Sequence, residues 1–310
     1  MQVDKAEIPG QDAAVRAAYA KHPRLFLGNR YVYPVLSRRS KGISVGINLN
    51  PDKVCNFDCV YCQVDRRTPA LYREVDLDLM EEELRRVLRC ERSGELYEVL
   101  PFEGLPARLR RVNDIAFSGD GEPTSCSRFK EAAERVIRVK GEMGLAGAKV
   151  VVITNATLFH RPQVREALAL LDRHNGEVWA KLDAGTEAYY HLIERTAVKF
   201  DRVIENLTEA ARARPLVIQS LFMRVNGAGP DDTEIHAFCG ILRRILRLGG
   251  ALKLIQVYTV ARPPAEGCVT PLSNADVDRI ATMVGQAVPV PVEAYYGLEG
   301  QSSAKPTGPG

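Results

Sequence analysis

Cys55, Cys59 and Cys62 stand within eight positions, in "VCNFDCVYCQ", whereas the whole 310-residue chain holds seven cysteines. The C-x3-C-x2-C spacing is too tight for sulfurs that serve separate parts of a core. The thiolates are therefore expected to converge on one soft metal centre. Structural zinc takes four protein ligands, typically as two C-x2-C pairs or with histidines. A local fourth ligand is missing: His22, His160, His174, His191 and His236 are scattered, and Cys90 and Cys126 lie in other units. A four-iron, four-sulfur (4Fe-4S) cluster held by three cysteines leaves one iron open to a substrate or cofactor, whereas electron-transfer clusters use four. A non-catalytic iron–sulfur or zinc-binding module is the alternative, and it requires a fourth protein ligand close by.

Something must hold this loop, and the apolar runs identify it. "ISVGINL" (43–49), "DIAF" (114–117), "KVVVI" (149–153), "VWAKL" (178–182), "LVIQSLF" (216–222) and "LKLIQVY" (252–258) read as strands buried on both faces. Helical stripes fill the gaps. Met80, Leu84, Val87 and Leu88 follow a capping-box variant at Asp78 and Glu81; Phe129, Ala132, Ala133, Val136 and Ile137 form the next; and Val164, Ala167, Leu168 and Leu171 another. Ile235, Phe238, Cys239, Leu242, Ile245 and Leu246 form a further stripe, and Val277, Ile280, Ala281 and Val284 follow a Ser273 cap. From the second run onward the strands recur every 29 to 39 residues, the length of one βαβ step. The fold class is α/β, a parallel sheet that is barrel-like or doubly wound. An extra segment at about 91–112 lengthens the first gap. The division expected is an N-terminal extension (1–42), a core barrel (43–290) and a C-terminal tail (291–310) that is flexible from Glu299.

The composition, 45% hydrophobic and 26% charged, allows a large core and excludes a disordered chain. A net charge of +3 neither announces nor excludes a polyanionic partner. The N-terminus lacks a signal-peptide layout and no run approaches the roughly 20 apolar residues of a membrane span, so a cytoplasmic protein with no membrane partner is expected. Reduced thiols suit the odd cysteine count.

"CNFDCVYC" resembles the signature of the radical S-adenosylmethionine (radical SAM) superfamily, including the aromatic Tyr61 before the last cysteine. The resemblance covers about residues 40–285 and implies a partial (β/α)6 TIM-like barrel. It further implies a 4Fe-4S cluster on Cys55, Cys59 and Cys62, with S-adenosylmethionine on the open iron and Tyr61 near its adenine. The strands of a parallel barrel all end on one rim, which lets the other motifs be placed together. After the second strand, "SGDGEPT" resembles the family's glycine-rich motif. Gly119, Asp120, Gly121 and Glu122 would hold the cofactor's methionine amino group, the glycines allowing close backbone approach to the ligand. Thr154 and Asn155 follow the third strand, and Lys181 and Asp183 the fourth. Asp183 could accept ribose hydroxyls or form a rim salt bridge with Lys181 or Arg195, and Lys181 stands where many members carry a small hydroxyl residue. Gln219 in strand five, and Tyr258, Thr259 and Arg262 after strand six, complete the rim. "TVARPP" resembles a subgroup of iron–sulfur oxidoreductases related to wyosine-forming enzymes that act on RNA.

The implied activity is reductive cleavage of S-adenosylmethionine to a 5′-deoxyadenosyl radical that takes hydrogen from a substrate. A flavodoxin- or ferredoxin-like one-electron donor is implied. The substrate stays open between small molecule, peptide and RNA; a basic cleft at the barrel mouth would favour modification of an RNA (tRNA) base. Cys239 reads as packing, Cys126 as a reactive thiol only if it faces the cavity, and no second-cluster motif is visible. "HPRLFLGNRYVYPVLSRRSKG", ahead of strand one, could cover the barrel bottom or meet a substrate.

Overall fold

The computed structural model describes residues 4–5, 13–20, 26–262 and 264–297. In chain order, β1 (Asp4–Lys5) and α1 (Ala13–Ala20) precede a hairpin of β2 (Val32–Ser37) and β3 (Gly42–Ile47). Helix α2 (Leu77–Ser93) leads to β4 (Val112–Phe117), α3 (Phe129–Glu142) to β5 (Lys149–Thr154) and α4 (Pro162–Asp172) to β6 (Gly176–Lys181). Helices α5 (Glu187–Glu194) and α6 (Phe200–Ala213) lead to β7 (Leu216–Leu221). The short β8 (Met223–Val225) and α7 (Asp232–Arg247) lead to β9 (Leu252–Tyr258), and β10 (Val269–Pro271) with α8 (Asn274–Ala287) to β11 (Val292–Tyr295).

One sheet has the order β1-β11-β9-β7-β6-β5-β4-β3-β2, while β8 and β10 form a separate antiparallel pair. Every neighbouring pair from β3 to β1 is parallel and only β2–β3 is antiparallel, so the main sheet is a curled half-barrel. The six apolar runs are β3, β4, β5, β6, β7 and β9, and they lie in sequence order across the sheet. Alternation separates two faces. Val150, Val152, Val178 and Ile218 point into the main core under the helices, while Ala116, Val151, Trp179 and Val217 form a small apolar cluster on the opposite, inner face.

The helical stripes are buried as expected: Met80, Leu84, Val87 and Leu88 of α2 are each at most 1% exposed. Each such side chain contributes about 1.5–3 kcal/mol of transfer free energy. The start of α2 differs from the expected capping box. Asp76 is the N-cap, accepting the N–H groups of Asp78 and Leu79, because only the residue just outside the first turn has its carboxylate beside those donors. Glu81 lies one turn further in, paired with Arg85 and Arg138. Ser273 caps α8 as expected, accepting from the Asp276 N–H. The extra segment forms two 3-10 turns, Glu95–Glu98 and Ala107–Leu109, and buries Leu96, Phe102, Leu105 and Leu109 against the core.

The sheet runs past residue 290 through β11, and it begins within the N-terminal extension with β2. Two contacts tie the β2–β3 hairpin to the opposite edge: Lys41 Nζ lies 3.8 Å from Glu293, and Arg38 donates to the Tyr296 carbonyl. Glu83 of α2 fixes the entry to β2 by accepting the N–H groups of Arg30, Tyr31 and Val32 at 2.7, 2.8 and 3.1 Å. The expected flexible end from Glu299 lies outside the described residues, as do residues 21–25 at the head of the aromatic and basic segment. Among the described residues no helix is long and apolar enough to cross a membrane.

Candidate functional site

The cysteine loop leaves the end of β3, and its apolar residues act as pegs. Phe57 and Val60 are buried, with Phe57 edge-on to Tyr190 at 5.9 Å, so Cys59 between these pegs and Cys55 and Cys62 on either side stay half-buried on the rim. Backbone bonds tie the loop to the end of α5: Asp58 N–H to the Glu194 carbonyl at 3.0 Å and Val60 N–H to that of Ile193 at 2.9 Å. Asn56 adds side-chain ties to the β5 rim, donating to Thr157 Oγ1 at 2.7 Å and accepting from Asn155 Nδ2 at 2.8 Å. The Thr196 hydroxyl donates to the Asn56 carbonyl at 2.7 Å.

The three sulfurs do not converge as expected. Cys59 Sγ donates to Glu194 Oε2 at 2.7 Å, and Cys62 Sγ lies 3.6 Å from an Arg66 guanidinium nitrogen. Among the described residues no three His, Cys, Asp or Glu side chains are grouped to hold a metal ion. Burial pushes the Cys55 and Cys59 thiols up, and Glu194 pushes Cys59 further. The donor set still fits a three-thiolate cluster. All three thiols share one anchored loop, and metal binding displaces thiol protons. Cys90 sits near Glu95, Cys239 is packed inside α7, and Cys268 lies beside Glu266.

The glycine-rich loop packs closely against the cysteine loop. A Cβ on Gly119 would lie 2.4 Å from Asn48 Oδ1, and one on Gly121 would lie 2.1 Å from the Val54 carbonyl. The backbone approach the glycines permit is thus to the cysteine loop itself. Asn48 donates to Asp120 Oδ2 at 2.7 Å and accepts the Asp120 N–H at 3.1 Å. Glu122 is buried and its carboxylate accepts four donors: Thr124 N–H (3.1 Å), Thr124 Oγ1 (2.5 Å), Thr154 Oγ1 (2.7 Å) and Asn155 N–H (2.7 Å). Burial pushes the Glu122 pKa up while these donors pull against it. Glu122, Thr154 and Asn155 therefore join the β4 and β5 rims to each other and to the cysteine loop.

At the β6 rim a second knot forms. Asp183 is 2% exposed; its Oδ2 lies 3.0 Å from Lys181 Nζ and accepts Tyr61 Oη at 2.5 Å, and its Oδ1 accepts the Leu221 N–H at 2.7 Å. The salt bridge is thus with Lys181, while Arg195 pairs with Glu266. Lys181 also reaches Tyr258 Oη at 3.0 Å and sits 4.9 Å from the Tyr61 ring centroid. Burial works to lower the Lys181 pKa, but Asp183, Tyr258 and Glu194 outweigh it and hold the ammonium charged. Burial, then the Asp183 charge, pushes Tyr61 and Glu194 well up.

A cavity of about 310 Å³ occupies the barrel mouth. Of the expected residues, Tyr61, Cys62, Gly119, Lys181, Gln219, Tyr258, Thr259 and Arg262 line it. Cys55, Cys59, Asp120, Gly121, Glu122, Thr154, Asn155 and Asp183 do not, nor does Cys126, whose thiol burial pushes up. Gln219 donates to Gln256 at 2.8 Å, and Thr259 Oγ1 accepts the Leu272 N–H at 2.8 Å. Sequence reasoning missed Asn48, Asn56, Thr157 and Glu194, since short polar residues in loops and a glutamate at a helix end carry no local signal. Arg38 and Arg39 sit in the β2–β3 turn at the N-terminal ends of the parallel strands and also line the cavity, so the segment left undecided above closes the barrel bottom and faces its interior.

A model of the radical SAM superfamily matches residues 49–237. A UPF0026 protein of Helicobacter pylori is 29% identical over 232 residues, 74% of this chain and 66% of that protein. The UPF0026 protein MJ1312 of Methanocaldococcus jannaschii is 28% identical over 263 residues, 82% of this chain and 71% of that protein. A "GTPase Obg" of Brachyspira hyodysenteriae is 28% identical over 186 residues, 58% of this chain but 23% of its own length. The match thus spans less than two thirds of the first of these curated relatives. A solved structure described as TYW1 with a lysine-pyruvate adduct bound has the same fold, with a TM-score of 0.51 and 16% identity, covering 80% of this chain and 74% of that one.

Proposed function

Because the chain belongs to the radical SAM superfamily and is an enzyme of that class, we propose that Cys55, Cys59 and Cys62 hold a 4Fe-4S cluster beside the barrel mouth. The cluster with S-adenosylmethionine, supplied with one electron by a flavodoxin- or ferredoxin-like donor, would furnish a 5′-deoxyadenosyl radical for hydrogen abstraction. The observation that carries this reading is the anchored loop: three thiols on one rim, with Cys62 and Tyr61 opening directly onto a cavity of about 310 Å³.

The chain's own residues supply placement. Phe57 and Val60 peg the loop, and Asn56 and Glu122 lock the neighbouring rims so that the cysteines keep fixed positions. Tyr61, Lys181 and Tyr258 form a polar and aromatic wall for the adenosyl cofactor, with Asp183 holding Lys181 from behind. Ile153, which lines the cavity, packs against the apolar cluster of Ala116, Val151, Trp179 and Val217, a dry backing of the kind that a reactive intermediate requires.

The test is anaerobic reconstitution with iron and sulfide, followed by dithionite and S-adenosylmethionine, with 5′-deoxyadenosine measured. Product from the wild-type chain and none from Cys59→Ala is expected. A demonstrably present cluster that yields no product overturns the reading. Action on an RNA base is a second reading, favoured by one observation: Arg38, Arg39, Lys181 and Arg262 line the cavity, and among the described residues no carboxylate does.

A further inference from the structure

The four cations of the mouth are not equivalent. Lys181 is neutralised by Asp183, and Arg38 donates to the Tyr296 carbonyl. Arg39 is half-buried, with its guanidinium carbon 4.9 Å from the Tyr258 ring centroid and 5.8 Å from that of Trp179. Among the described residues it makes no ion pair. Asp114 senses it only through space, one Asp114 oxygen accepting from Ser44. Stacking on aromatic rings uses the faces of the guanidinium and leaves its in-plane N–H fork available, the geometry that grips carboxylate or phosphate oxygens in pairs. Burial, then the charge of Arg39, lowers the Arg38 pKa to about 10, so the two guanidinium groups repel in a poorly hydrated place. An anion between them would relieve both effects.

We propose that Arg39, with Arg38 beside it, binds the carboxylate or phosphate group of a small-molecule substrate at the inner end of the barrel cavity. The proposal rests on the reading of this cavity as the substrate site. A small molecule is favoured over RNA because these cations line a partly open cavity of about 310 Å³ inside the barrel. That is the size of a small-ligand pocket, whereas a nucleic-acid backbone is tracked by cations along an open groove. The β2–β3 turn also delivers both arginines from the N-terminal ends of the strands, so the anionic end of a substrate would point away from the cysteine rim, where Tyr61 and Cys62 line the same cavity.

Trp179 is the chain's only tryptophan and lies next to Arg39, so its fluorescence reports on the guanidinium. The full-length chain, without added iron or S-adenosylmethionine, is titrated with inorganic phosphate and, separately, with citrate, each against potassium chloride at equal ionic strength. A saturable change with either anion is expected, weakened at least tenfold in Arg39→Gln and less in Arg39→Lys. Phosphate and citrate responses that match chloride, or a saturable response unchanged in Arg39→Gln, overturn the proposal. A single-stranded RNA oligonucleotide that saturates the signal when neither small anion does also overturns it and assigns the site to RNA. If Arg39→Gln does not fold, the wild-type comparison with chloride and the Arg39→Lys variant still decide. Because no cofactor is used, failure here leaves the cluster reading standing, and failure to form 5′-deoxyadenosine leaves this test intact.

Discussion

Replacing Glu122 with alanine separates two roles that its position allows. Resemblance to the glycine-rich motif assigns it to the cofactor's amino group, but its carboxylate is occupied by Thr124, Thr154 and Asn155. In Glu122→Ala the two threonine hydroxyls can rotate to other acceptors, whereas the backbone N–H groups of Thr124 and Asn155 cannot. Stranding a buried donor costs about 1–3 kcal/mol, which gives about 2–6 kcal/mol for the pair. Removing a buried charge returns part of this, since burial already pushes the Glu122 pKa up. The expected loss is therefore about 2–3 kcal/mol. In a chain of this size that lowers Tm by roughly 4–10 °C. Thermal melts of the cofactor-free chain followed by circular dichroism measure this, with S-adenosylmethionine affinity of the reconstituted chain measured in parallel. Glu122→Gln, which keeps one acceptor oxygen but opposes an amide N–H to a donor, should fall between alanine and wild type. A melting temperature unchanged within about 1 °C alongside lost cofactor binding would refute the reasoning.

Three further outcomes are expected. Gly121→Ala drives a Cβ toward the Val54 carbonyl; overpacking of this kind costs about 1–3 kcal/mol, and iron retained after reconstitution should drop, whereas wild-type iron content would show that the loop yields freely. Asp183→Ala should weaken S-adenosylmethionine binding about tenfold, roughly 1.4 kcal/mol, with iron content unchanged; an unaltered titration removes Asp183 from cofactor binding. Hydrogen bonds from Arg138, then Arg85, outweigh burial and hold the Glu81 carboxyl at about 2. A depressed carboxylate stabilises fully above its unfolded pKa, roughly 4.3, and loses that contribution as pH falls through its folded value. Discounted for the exposed Arg138, Glu81→Gln should cost about 1 kcal/mol at pH 7, and the gap to wild type should close as the pH approaches 2; a gap that persists contradicts the assignment.

The parts of the fold that were legible in sequence are those where burial alone dictates residue type. β5 and β7 are buried on both faces, so their apolar runs announce them. β11 escaped because Pro289 and Pro291 flank its start and read as loop. Pro34 likewise conceals β2, where it is tolerated because an edge strand needs partners on one side only. Rim positions followed from the strand ends, which is why Tyr61, Lys181 and Tyr258 do line one cavity. Side-chain direction did not follow. Whether Glu122 faces a ligand or the next loop depends on Thr154 and Asn155, and the partner of Cys59 is a glutamate 135 residues away. Arg39 reaches the cavity only because the β2–β3 turn closes the bottom of the half-barrel, a tertiary fact with no periodicity of its own.

The ties that hold Asn56, Asp58 and Val60 bear on how the loop acquires iron. A ligand loop that orders only around its metal loses conformational entropy at the moment of binding, about 1–2 kcal/mol per residue. Here the loop backbone is already fixed through α5 and the β5 rim, so that loss falls on folding and the apparent affinity for the cluster keeps its full strength. On the proposed cluster reading, assembly would replace the Cys59–Glu194 contact on a loop whose backbone is already ordered. A chain stripped of iron should accordingly remain a competent acceptor, with its binding surface intact and ready to be refilled.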